Sequence, residues 1–134
     1  MRYMLLIYSK ELEMETMPEE EAERIREAHY AVMRATAARG IFRGAEPLKS
    51  TGTATTVRVQ NGRPLITDGP FAETKEQLLG FYVLEFASLE DAIAGVAEMG
   101  RDEAVKLEIR PLRLFLPGTL GGTLAGTLAE TGLA

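Results

Sequence analysis

Arg2-Tyr3-Met4-Leu5-Leu6-Ile7-Tyr8 is the stretch on which the fold turns. Apolar and aromatic residues occupy both of its alternating faces, the pattern of a strand covered on each side, so it reads as the first and central strand of a sheet. Ser9 to Glu15 reads as a connector. Thr16-Met17-Pro18-Glu19 then has the spacing of a capping box, with Pro18 suited to a first helical turn and acidic residues near the positive end of the dipole. In the helix that follows, Ala22, Ile25, His29, Val32, Met33 and Thr36 recur at three- and four-residue steps and give one face, until Gly40 supplies the stop.

Beyond Gly40 the signals are those of strands and turns. Ile41 to Leu48 reads as a short strand and Lys49 to Gly52 as a turn. Thr53 to Val59 is dense in β-branched residues, and Asn61-Gly62 returns the chain through Leu65-Ile66-Thr67 as a hairpin. Asp68-Gly69-Pro70 breaks that strand, and Glu73 to Leu79 reads as a helical turn. Phe81 to Phe86 is a further strand, Ser88 with Asp91 starts a helix over Leu89 to Met99 that Gly100 ends, and Ala104 to Leu112 alternates like a strand with one wet face. The order is strand, helix, strand, hairpin, strand, helix, strand. It predicts an α+β fold of the ferredoxin-like split βαβ kind, with the hairpin as an insertion.

Strands that are apolar on both faces need cover on the side without helices, and a second copy of the chain supplies it at least cost, so a homodimer with its sheets face to face is expected. Residues 1–113 form the domain. Residues 114–134 are a Gly/Thr/Leu-rich tail whose Leu120, Leu124 and Leu128 repeat at four residues; a helix with that much glycine needs a dock, on the domain or on a neighbouring subunit.

Composition narrows the function classes. The 134 residues include no cysteine, which removes disulfides, thiolate nucleophiles and Cys-based zinc sites. A net charge of −5 with no basic cluster argues against direct nucleic-acid binding. No run approaches the length that spans a bilayer, and the first eight residues are too short for a secretory signal, so a cytoplasmic protein without a membrane partner is the simplest reading.

The single histidine, His29, lies on the inward face of its helix, where it is either a satisfied core residue or a proton-handling group. Asp68, at the break after Leu65-Ile66-Thr67, is either an Asx turn or a carboxylate that reaches over the sheet end to orient the imidazole. The string Asp68-Gly-Pro-Phe-Ala-Glu-Thr-Lys-Glu-Gln-Leu-Leu-Gly-Phe-Tyr82 closely resembles the signature of the YCII-related proteins that carry a DGPF motif. Met1 to Tyr8, Gly44-Ala-Glu-Pro-Leu48 and Thr53-Ala-Thr-Thr-Val-Arg58 resemble the same family; Leu79 departs from it, standing where a second glycine is usual.

The resemblance implies a dimeric α+β barrel and a His and Asp facing one cleft, which fall on His29 and Asp68 as the catalytic pair. Phe71 and Tyr82 are candidate apolar walls for a substrate, or core; Glu73 and Lys75 are candidate rim charges, or a solvated pair. No phosphate loop, dinucleotide spacing or metal-ligand set is present, so neither a cofactor nor a metal is expected. These residues fit an acid-base site for elimination or isomerisation of a small, partly apolar molecule. The alternative is a non-catalytic ligand-binding or regulatory module associated with transcription regulation.

Overall fold

The computed structural model describes residues 1–97 and 105–113. Strand β1 (Arg2–Ser9) is followed by helices α1 (Glu11–Thr16) and α2 (Glu19–Ala38), then β2 (Phe42–Pro47). A single 3₁₀ turn over Thr51–Thr53 leads into the hairpin β3 (Thr55–Gln60) and β4 (Arg63–Asp68). Strand β5 (Gln77–Glu85), helix α3 (Leu89–Val96) and strand β6 (Lys106–Pro111) complete the described elements. The main sheet has the order β2-β5-β1-β6 with every neighbouring pair antiparallel, and β3-β4 form a separate two-stranded ribbon. That order is the ferredoxin-like arrangement expected from the sequence. The predicted Gly100 stop and the tail over 114–134 lie outside the described residues.

The central strand shows why its sequence is apolar on both faces. Tyr3, Leu5, Ile7 and Ser9 are buried and alternate with half-buried Arg2, Met4, Leu6 and Tyr8. Cross-strand pairing puts Leu5 opposite both Tyr82 and Ile109, so these side chains share the helix-covered face, with Tyr3, Ile7, Leu84, Phe86, Ala92 and Val96 completing the core. Leu6 pairs with Phe81 on the opposite face, which no helix among the described residues covers. Asn61 at φ 52° and Gly62 at φ 74° form the tight turn read from their dipeptide, and Gly40 ends its helix at φ 71°.

Three expectations are corrected. Residues 11–16, taken for a connector, are helical: Glu-Leu-Glu-Met-Glu-Thr is built largely of strong helix formers, and one and a half turns are too short to show a period. The capping box does not form, because Thr16 ends α1 and its hydroxyl donates back to the Leu12 carbonyl at 2.8 Å, while Pro18 is the N-cap of α2. The helical turn expected over 73–79 is absent. Instead β5 begins at Gln77, since Gln77 and Leu78 pair with Ser9 and Tyr8 beyond a bulge and the ladder outweighs local propensity.

Gly80 is the glycine this sheet cannot replace. A Cβ there would stand 2.7 Å from the Glu46 carbonyl oxygen and 3.1 Å from the Pro47 Cα, so β2 approaches β5 closely only because position 80 has no side chain. Gly80→Ala is expected to cost about 1–3 kcal/mol in urea unfolding, the usual scale for overpacking, whereas Gly44→Ala, with open space at its Cβ, should stay within about 0.5 kcal/mol.

Candidate functional site

Two elements meet where α2 crosses the helix-covered face of the sheet. Tyr82, in the inner part of β5 and only 3% exposed, points up from the sheet because it shares the buried face with Leu5 and Ala45 on its two neighbouring strands. His29 points down from α2, one turn beyond Ile25, as the three- and four-residue spacing of its helix face requires. The rings lie nearly parallel, 11° apart in plane with centroids separated by 5.8 Å, and His29 Nδ1 is 2.5 Å from the Tyr82 hydroxyl.

Burial acts on the two rings in opposite directions and with one result. It pushes the imidazole below its ordinary value, because the cation loses water, and pushes the Tyr82 phenol up to about 12, because the phenolate would lose it too. Both groups are therefore neutral near pH 7. A neutral imidazole and a phenol can share this bond in two ways, with the hydroxyl donating to Nδ1 or with Nδ1–H donating to the hydroxyl oxygen. When the ring takes up a proton both its nitrogens are donors, so Nδ1–H must donate to Tyr82, which holds the charged ring in the same place. His29 makes no further hydrogen bond among the described residues, which leaves Nε2 without a protein partner.

An open, largely apolar cleft of about 300 Å³ begins at the neighbouring turn of α2. Met14, Met17, Ile25, Leu48 and Leu79 form its walls, and Arg26 stands at it paired with Glu19 and Glu23. Its α1 side is clamped by Glu11, whose carboxylate accepts from the Thr51 amide and hydroxyl, both at 2.6 Å, while its own amide donates to the Gln77 side chain at 2.9 Å. Leu79 is part of this wall, and its carbonyl accepts from the Leu48 amide at 2.8 Å.

Of the six residues named from sequence, His29 and Tyr82 come together. Asp68 ends β4, exposed, with no hydrogen bond to His29; the following Gly69 has φ 94° and its amide donates to Ala54, the geometry of a turn at the base of the hairpin. Phe71 is 79% exposed, and Glu73 and Lys75 are exposed with no ion pair between them. Sequence reasoning placed Tyr82 as a wall and missed it as the hydrogen-bond partner of the imidazole. It also missed Met14 and Met17, whose three-residue spacing was the available signal. Among the described residues no group of three or more His, Asp or Glu is placed to hold a metal ion, and no helix is long and apolar enough to cross a membrane.

The fold and this pair define a ferredoxin-like α+β protein with one half-buried imidazole held by a core phenol. Residues 1–115 match the YCII-related domain, and the chain belongs to that family. It is also 38% identical over 122 residues to an uncharacterised protein of Rhizobium meliloti strain 1021, a match covering 90% of this chain and 98% of the relative.

A histidine whose folded value lies below that of the unfolded chain binds fewer protons when folded, so it adds stability above the unfolded value of 6.5 and loses it as pH falls from there toward the folded value. The melting temperature of the wild type is accordingly expected to drop between pH 7.5 and 5 by more than that of His29→Gln; parallel curves for the two proteins would contradict the assignment.

Proposed function

We propose that this protein is an acid-base catalyst in which His29 moves a proton on a small, partly apolar molecule bound in the cleft beside it. The observation that supports this reading is the bond from Nδ1 to Tyr82, which orients the ring and leaves Nε2 for a substrate. An imidazole kept neutral at pH 7 retains a lone pair and can act as a base, which the imidazolium cannot, and its burial strengthens whatever bond Nε2 makes. The chemistry that fits is isomerisation or elimination next to a carbonyl. Nε2 takes a proton from carbon and returns it to another carbon or to the leaving group, so no redox partner is needed. His29 does not itself line the cleft, but Ile25, one helical turn before it, does, so a substrate held against the Met14, Met17 and Leu79 wall would extend roughly 5–6 Å along α2 to reach the ring.

The working particle in this proposal is a homodimer, a dimeric α+β barrel. Met4, Leu6, Tyr8 and Phe81 lie on the uncovered face of the sheet, half-exposed, and two such faces related by a twofold axis bury one another. Asp68, which the family resemblance pairs with His29, stands exposed at the base of the hairpin, and its part in the proposal is at that interface.

Hydrogen-deuterium exchange at carbon, followed by proton NMR over a panel of small keto acids and lactones, tests the chemistry. The wild type is expected to catalyse exchange on at least one of them, His29→Gln to lose about 10²-fold or more, and Tyr82→Phe to lose less, with KM little changed. Binding that survives His29→Gln at full affinity, without exchange by the wild type, would make the protein a binding module instead.

A further inference from the structure

The β3–β4 hairpin exposes several large apolar side chains. Its register places Val57 opposite Ile66 and Val59 opposite Pro64, all on one face, while Arg58, Leu65, Gln60 and Arg63 share the other. Val57 is 58% exposed, Val59 72% and Ile66 69%, so the apolar face is uncovered in the single chain. These three side chains alone present on the order of 300 Å² of apolar surface, as much as the largest patch on many monomers. A two-stranded ribbon standing alone in water is at best marginally stable, and among the described residues the hairpin is hydrogen-bonded into no other strand.

We infer that this hairpin is an arm that lays its Val57–Val59–Ile66 face on a second copy of the chain, a reading that rests on the homodimer proposed above. Two features favour a second copy over another partner. The first is charge: two arginines against one aspartate give residues 55–68 a charge of +1 against −6 for the rest of the chain, so the arm as a whole is attracted to the acidic body of a second copy, with Arg58 and Arg63 acting from the ribbon face opposite Val57 and Val59. Glu15 and Glu20, both exposed, form no ion pair among the described residues and contribute to that acidic surface. The second is area. A stable dimer needs about 800 Å² from each partner, and the exposed Val57, Val59 and Ile66 of each arm add on the order of 300 Å² to what the open face of the sheet contributes, a gain that twofold symmetry supplies twice. Asp68 ends the same apolar face, opposite Thr55, so docking carries its carboxylate towards the second copy.

The absence of cysteine from the sequence makes single-thiol variants clean probes. Val59→Cys and Arg58→Cys would be labelled with a maleimide at concentrations where sedimentation shows two chains and after dilution to one. The Val59→Cys thiol is expected to react about tenfold more slowly in the associated state, with Arg58→Cys much less affected, and the Val57→Thr/Ile66→Thr double variant to associate about tenfold more weakly. A wild type that associates while Val59→Cys reacts equally in both states would overturn the arm and leave the dimer standing. Protection of Val59→Cys in the single chain would also overturn it, and a wild type that never associates would remove both.

Discussion

A polar group inside an apolar interface must find its partner within the protein, and here the partner lies 53 residues away along the chain. His29 on α2 and Tyr82 on β5 satisfy one another at 2.5 Å beside an apolar core of aliphatic and aromatic side chains. A net worth of about 0.5–1.5 kcal/mol is ordinary for such a bond, but losing one member strands the other where water reaches it poorly. The pair therefore fixes how the long helix lies over the core strand, and with it the position of the cleft between α1, α2 and β5. That same burial, partial for His29 and nearly complete for Tyr82, holds both rings neutral, so one arrangement serves the architecture and any proton transfer.

Much of the fold was legible because its signals are local. The double apolar face of Arg2–Ser9, the positive φ demanded at Gly40 and at Asn61-Gly62, and the Ser88 cap, whose oxygen accepts the Asp91 amide at 3.2 Å, each need only a few adjacent residues to be recognised. What was not legible depends on partners distant in sequence. Helix α1 is too short to show a period and is held by Glu11 reaching Thr51; β5 runs back to Gln77 because β1 extends to Ser9 to meet it. Neither fact is written in residues 11–16 or 73–79 themselves.

The candidate site was half legible for the same reason. Helical spacing alone turned His29 toward the sheet, and it did face the sheet. Which side chain waits there is a matter of strand register: with Leu5 opposite Tyr82, the phenol comes under the ring, whereas a shift by one residue would offer Phe81 or Val83. Asp68 was attractive as a motif residue after a strand, but its strand belongs to a ribbon outside the main sheet. A carboxylate on that ribbon moves with the hairpin and whatever covers it, not with the core that carries the imidazole.

With one histidine in the sequence, nitrogen NMR of the imidazole reads this site without ambiguity. Titration of the ¹⁵N-labelled wild type beside Tyr82→Phe tests the central claim most directly. The account predicts a midpoint below 6.5 in the wild type and an Nδ1 resonance that moves when the hydroxyl is removed. A midpoint at or above 6.5, with Nδ1 indifferent to Tyr82→Phe, would contradict it.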